Sequence, residues 1–297
     1  MKIKSIFSLF KQAFAEWRRD RVSLLAAALA YYTVLSIAPL IVIAIAIAGS
    51  VFGADAAQGE IVEALDDLVG QQGATVIEAI IANANQPQFN SVASAVSAVV
   101  LLVSASGLFY QLQMALNIVW NVKTKPNAGV RGFIHKRLLS FGMVLVIGLL
   151  LLASLIISTV LSTISQLDVN FISSTSSIWQ NIDLIASLGI VILLFALIYK
   201  YLPDVELSWK NVWIGAVVTA LLFILGKYLV GFYISRSNLG STYGAAGSLV
   251  VVLTWVFYST QILLFGAELT QVYTRRYGAP IRPNRHAVIV NAYDRSE

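Results

Sequence analysis

Long apolar blocks alternate with short polar segments along this chain. A run of about 20 residues with few charges can cross a hydrocarbon core as a helix. Six such runs occur: Leu24–Gly49, Ser91–Leu112, Leu138–Ser162, Leu184–Leu202, Val212–Ile234 and Ala245–Gln271. The pattern predicts an all-α fold, a polytopic membrane protein with six transmembrane helices over residues 24–277. Residues 1–23 precede this domain and residues 278–297 form a tail.

The flanking segments have periodicity of their own. Ile3, Phe7, Phe10, Phe14 and Trp17 recur at heptad spacing, with Lys4, Lys11 and Arg18 on a neighbouring face. This predicts an amphipathic helix at the membrane interface, with a partner helix in the cytosol as the alternative. Asp20 or Ser23 is expected to cap the first span. The loop 51–90 carries Ile61, Leu65 and Leu68, then Val76, Ile80 and Ala84, with Gly70 and Gly73 between. It predicts a helical hairpin between spans one and two.

Charge placement orients the spans. Cytoplasmic loops carry an excess of Lys and Arg. With the N-terminus inside, 18 of the 20 basic residues fall in the inner segments. Only Arg236 lies outside and Lys227 within a span. The hairpin loop has no Lys or Arg but carries Asp55, Glu60, Glu63, Asp66, Asp67 and Glu78. Both termini are therefore expected inside and the hairpin outside. The first run is too long for a cleaved signal sequence.

Composition agrees. Apolar residues make up 58% of the 297 and charged residues 12%, against about 45–50% and 25% in soluble domains. The net charge of +5 suits anionic lipid at the inner surface. The segment 121–136 is basic, but Phe133 is its one aromatic, so no nucleic-acid partner is expected. With no cysteine, neither a thiol nucleophile nor a thiolate metal site can form, and no cofactor is expected.

Polar residues inside the spans are the candidate chemistry. Ala28, Tyr32, Ser36 and Pro39 share a helix face, with Tyr31 beside it. Tyrosine hydroxyls at that depth need partners that lipid tails do not supply, so this face is expected to point into the bundle. Pro39 frees the carbonyl of Leu35. The second span carries Ser94, Ser97, Ser104, Gly107, Gln111 and Ala115. The fifth carries Gly215, Thr219 and Gly226. The sixth carries Gly247, Thr254, Tyr258, Gln261 and Glu268. Small and hydroxyl residues also serve as packing glue; amides and carboxyls are costlier to bury. The candidate cavity lining is Tyr31, Tyr32, Ser36, Pro39, Ser104, Gln111, Tyr258, Gln261 and Glu268. Lys227 and Arg236 are candidates for attracting an anionic head group from outside. Lys227 and Glu268 differ in depth by about 15 Å at 1.5 Å per residue, so no direct ion pair is expected. Glu268 should instead meet basic groups at the inner surface, such as Arg21, Lys200 or Lys210.

Three blocks taken together, LAAALAYYTVLSIAPL, YKYLPDVELSWKNVWIGA and STYGAAGSLVVVLTWVFYSTQILLFGAELTQVY, resemble the YihY/virulence factor BrkB family over most of the chain. The resemblance implies an integral protein of the bacterial cytoplasmic membrane with a six-helix core. Some members have been labelled ribonuclease BN. Metal-assisted phosphodiester cleavage needs clustered Asp, Glu or His, and here His135 and His286 are isolated and most acidic residues are on the outer side. No enzyme activity is expected. The function expected is transport or flipping of a lipid, amphiphile or small metabolite, with an envelope-assembly scaffold as the alternative. Membrane lipids are the expected partners; a second copy or an envelope protein is left open.

Overall fold

The computed structural model describes residues 3–52, 107–125, 176–236, 247–278, 280–285 and 287–290, with isolated positions 59 and 142. The third span, most of the outer hairpin loop, Ser104, His135 and His286 lie outside the described residues.

The described chain is mostly helical. Helix α1 (Ile3–Arg19) is amphipathic. Its C-terminus closes with Asp20 N donating to Glu16 O at 2.8 Å and Arg21 N to Arg18 O at 3.3 Å. Arg21 then turns left-handed, at φ 51, a conformation L-residues avoid outside turns. Its carbonyl accepts from Leu24 N at 2.8 Å, opening α2 (Val22–Phe52). The backbone thus opens α2, and Ser23 lies inside the helix. Helix α2 runs unbroken through Pro39.

The second span ends in a helical stretch, 107–119. Asn121, at φ 55, reverses the chain; Asn tolerates this region better than most residues. Strand β1 (Val122–Thr124) follows. Helix α3 (Ser176–Tyr201) leads to β2 (Val205–Glu206), α4 (Trp209–Arg236) and α5 (Gly247–Tyr277). Strands β3 (Arg282–Pro283) and β4 (Ala287–Ile289) close the described chain. The stretches Trp209–Phe232 and Leu249–Tyr277 are long and apolar enough to cross a membrane.

Helix α5 is the central element, with α1, α2 and α4 packed on it, and α3 packs on α4. The α4–α5 contact is made by small residues. A Cβ at Gly215 would stand 1.7 Å from Thr270 Oγ1, and one at Gly266 would stand 1.8 Å from Thr219 Oγ1. The two backbones therefore touch with no side chain between them, the close approach that small residues permit in membrane helices. Aromatic rings tie in α3: Phe195 meets Phe223 at 5.7 Å, and Phe223 meets Trp255 at 5.8 Å, both edge-on.

Helix α1 uses two apolar sides. Leu9 and Ala13 are buried against Leu269 and Val272, with Phe10 packed alongside. Phe7 and Phe14 of the heptad remain exposed, whereas Phe10 and Trp17 of the same heptad pack on protein. Ser5 and Arg276 make the outer links, to Tyr277 and to Ser8, each at 2.5 Å.

The strands were not expected in an all-α fold. β1 pairs antiparallel with β4, Lys123 opposite Val288, and β2 pairs with β3, Glu206 opposite Arg282. At two or three residues each, they carry no readable alternation. They also bind most of 282–290 to two loops, so this part of the tail is not free.

Candidate functional site

Three polar constellations occupy the described core. The first is Asp204, buried at the loop end of the bundle. Its carboxylate accepts from Gln113 Nε2 at 3.1 Å, Asn117 Nδ2 at 2.9 Å and Thr124 Oγ1 at 3.2 Å. Its own N–H donates to Asn117 Oδ1 at 2.8 Å, and its carbonyl accepts from Asn284 N at 3.0 Å. One residue thus joins the 107–119 helix, β1, the α3–α4 loop and the tail. The apolar-run reading missed it because Asp204 lies between spans. Gln113 and Asn117 were legible as polar residues one turn apart at a span's end. The stripe through Gln111 instead selected a half-buried position.

The second constellation is the seam between α3, α4 and α5. The Tyr199 hydroxyl donates to Leu263 O at 2.6 Å and lies 2.9 Å from Thr219 Oγ1. Thr219 donates to Gly215 O at 2.7 Å, and Thr270 to Gly266 O at 2.7 Å. Hydroxyls here are satisfied within the protein, and Tyr199, Thr219 and Thr270 are buried. This seam is packing glue. Tyr258 extends it: its ring fills the notch at Gly226, where a Cβ would stand 2.3 Å from its Cε1.

The third is Glu268, with none of its surface exposed. Neither carboxyl oxygen is met at hydrogen-bonding geometry among the described residues, although the Asp20 side chain lies against it. The charged groups acting on it are Asp20 and Glu16, from the α1 end, and Arg275 on α5. The basic group beside it is Arg275, in place of Arg21, Lys200 or Lys210. Packing of α1 along the end of α5 brings two acids to Glu268, and Arg275 divides its attention by pairing with Glu16 at 3.6 Å. One turn on, Gln271 Nε2 donates to Val119 O at 2.6 Å; its buried Oε1 and the buried Trp120 Nε1 have no partner among the described residues.

The remaining candidates are dispersed. Ser36 is buried, but Tyr31 is 59% exposed and Tyr32 36%, their rings edge-on at 5.8 Å. The polar face of α2 is therefore split, with Ser36 inward and Tyr31 on the surface of the helix bundle. Pro39 is helical, and its side chain lies outside the described residues. Gln261 and Lys227 are half-buried. The guanidinium of Arg236 stands 4.4 Å from the Phe232 ring centroid. Neither Lys227 nor Arg236 is joined to Glu268. Among the described residues, no group of three His, Cys, Asp or Glu could hold a metal ion.

A cavity outlined by described residues lies elsewhere, at the loop end. It measures about 750 Å³ and is lined by residues of the last turn of α3, the α3–α4 loop and the tail, among them Lys200, Glu206, Ser208 and Arg282. Lys200 Nζ donates to Leu207 O at 2.5 Å and stands 5.8 Å from the Trp209 ring.

One family model, that of virulence factor BrkB, matches residues 13–289, from within α1 to the end of β4. The chain belongs to the virulence factor BrkB family. Similar proteins include a UPF0761 membrane protein of Verminephrobacter eiseniae, 29% identical over 86% of this chain and 59% of the relative. Another, from Vibrio parahaemolyticus, is 27% identical over 90% of this chain and 82% of the relative. The UPF0761 membrane protein YihY of Escherichia fergusonii is 31% identical over 65% of this chain and 62% of its own length. The chain thus spans about three fifths of the first and third of these relatives. No solved structure matches. This BrkB-family chain is an integral membrane protein, as its long apolar helices and its relatives agree.

Proposed function

We propose that this BrkB-family protein crosses the bacterial cytoplasmic membrane six times, with both ends inside, and moves a lipid, amphiphile or small metabolite. The observation that carries the transport reading is Glu268. The hydroxyls of Tyr199, Thr219 and Thr270, which glue the helices together, are satisfied. A wholly enclosed carboxyl set against two further acids, Asp20 and Glu16, does not serve as glue, because burying it costs free energy that packing does not return. In membrane helices such groups lie on substrate, ion or proton pathways. The chain has no phosphate-cradling glycine loop, so the driving force is a gradient or a partner protein.

The topology is supported by the gathering of four segments at one end. α1, β1, the α3–α4 loop and the tail meet there through β1–β4, β2–β3 and Asp204. These are the segments richest in Lys and Arg. Because the chain has no cysteine, single cysteines at Lys123, Glu206 and Arg285 can be labelled with an impermeant maleimide. All three should react only from the cytoplasmic side; labelling of any one from outside overturns the topology.

The transport reading is tested by flux or lipid scrambling in proteoliposomes. Glu268→Gln should fold normally and lose most of the activity. Equal activity in parent and variant removes Glu268 from the pathway. A second reading, a non-transporting envelope scaffold, is favoured by the closed α4–α5 seam. Flux no greater than in protein-free liposomes would select it.

A further inference from the structure

The cavity between the α3–α4 loop and the tail carries three charges of two signs. Lys200 and Arg282 supply the positive ones and Glu206 the negative one. β2–β3 pairing sets Glu206 directly opposite Arg282, which places their Cβ atoms about 5 Å apart. No ion pair joins them among the described residues, and both side chains are exposed, so each charge is available to a ligand. Lys200 spends one N–H on Leu207 O, and its ammonium has three. Its position is fixed by that bond and by the Trp209 ring. The floor is rigid, since Asp204 anchors the loop to the 107–119 helix and accepts Asn284 N from the tail.

The cavity lies beside exposed aromatic rings. Tyr201 and Trp209 meet edge-on at 6.1 Å, and Trp209 and Trp213 at 6.2 Å. All three are exposed, at the end of an apolar helix pair. Exposed Trp and Tyr at such a position sit at headgroup level. A ligand reaching the cavity from the bilayer would bring its headgroup past these rings.

We propose that this cavity binds the headgroup of a zwitterionic phospholipid bearing a phosphate and a primary ammonium, of the phosphoethanolamine type. The phosphate is held by Lys200 and Arg282, whose guanidinium can engage two oxygens at once. The ammonium is held by Glu206. Phosphatidylglycerol would leave Glu206 facing an anionic lipid, and phosphatidylcholine offers no ammonium N–H to donate. Lipid binding is measured without transport, so the two readings can fail independently.

The experiment is native mass spectrometry of the full chain released from nanodiscs of equimolar phosphatidylethanolamine, phosphatidylglycerol and phosphatidylcholine. The parent should retain phosphatidylethanolamine in preference to the other two. Arg282→Ala, at an exposed side chain, should lower that retention about tenfold without unfolding the protein. Lys200→Ala should do the same, and Lys200→Arg should restore part of it. Glu206→Gln should reverse the preference toward phosphatidylglycerol. Soluble phosphoethanolamine added at millimolar concentration separates headgroup from chain recognition: displacement of the lipid shows that the headgroup carries the affinity. Equal retention of the three lipids by the parent overturns the proposal. So does an unaltered preference in both Arg282→Ala and Glu206→Gln.

Discussion

Replacing Asp204 with alanine removes the acceptor for three side chains at once. Gln113 and Asn117 are buried, so their amide N–H groups cannot turn to bulk water. Thr124 is half-buried and can rehydrate. Each stranded buried donor costs about 1–3 kcal/mol, which puts the loss for two near 4 kcal/mol. For a chain of this size that is roughly 10 °C in Tm at about 2–4 °C per kcal/mol. The backbone bonds of Asp204 to Asn117 and Asn284 survive the substitution, so the loss reports the carboxylate. The assay is thermal unfolding of detergent-purified protein, followed by tryptophan fluorescence, since Trp120 is buried beside this cluster. Asp204→Asn keeps one acceptor oxygen and should lose about half as much. Glu206→Ala, two residues on and exposed, should shift Tm by less than about 2 °C, in line with ordinary surface substitutions. Combining Asp204→Ala with Asn117→Ala should cost less than the two singly, because both remove the same bond. A Tm within about 2 °C of the parent for Asp204→Ala, or strict additivity in the double variant, would refute the account of Asp204 as the anchor of this end.

The helix seam gives further tests in the same assay. Gly266→Ala forces a methyl to within 1.8 Å of Thr219 Oγ1 and 2.9 Å of Thr219 Cβ. No threonine rotamer moves its Cβ, so α4 and α5 must separate, at about 1–3 kcal/mol; an unchanged Tm would mean that the close approach is unimportant. Tyr199→Phe deletes the hydroxyl bonded to Leu263 O and should cost about 1 kcal/mol, with Thr219→Val adding little on top. On α1, changing Phe7 and Phe14 together to serine should leave Tm in detergent nearly unchanged, because α1 packs on α5 through Leu9 and Ala13. The same change should weaken binding of a peptide of residues 1–23 to vesicles by several kcal/mol at about 25 cal/mol per Å² of apolar surface; equal vesicle binding would place those rings away from lipid.

Sequence alone determined the solvent of this protein. Apolar runs of helical length leave no alternative to hydrocarbon, since each backbone group must then be satisfied within its own helix. It also determined the family, through blocks spread along the chain, and the existence of α1, through its heptad. The exposed Phe7 and Phe14 were readable, but the buried face of Leu9 and Ala13 was not. A helix with apolar residues on two sides does not announce which of them meets protein.

Tertiary structure decided which polar residues matter and how. Within a span, small and hydroxyl residues look alike whether they line a cavity or close a seam. Only the facing helix shows that Gly215 answers Thr270 and Gly266 answers Thr219. Glu268 was legible as a carboxyl in a membrane helix, yet its neighbours come from residues 16 and 20, some 250 positions away, and no periodicity carries that distance. Asp204 and the two-residue strands were invisible for a related reason. Their partners are set by how loops meet once the helices are packed, and a hydrogen bond made there depends on the final positions of four separate segments.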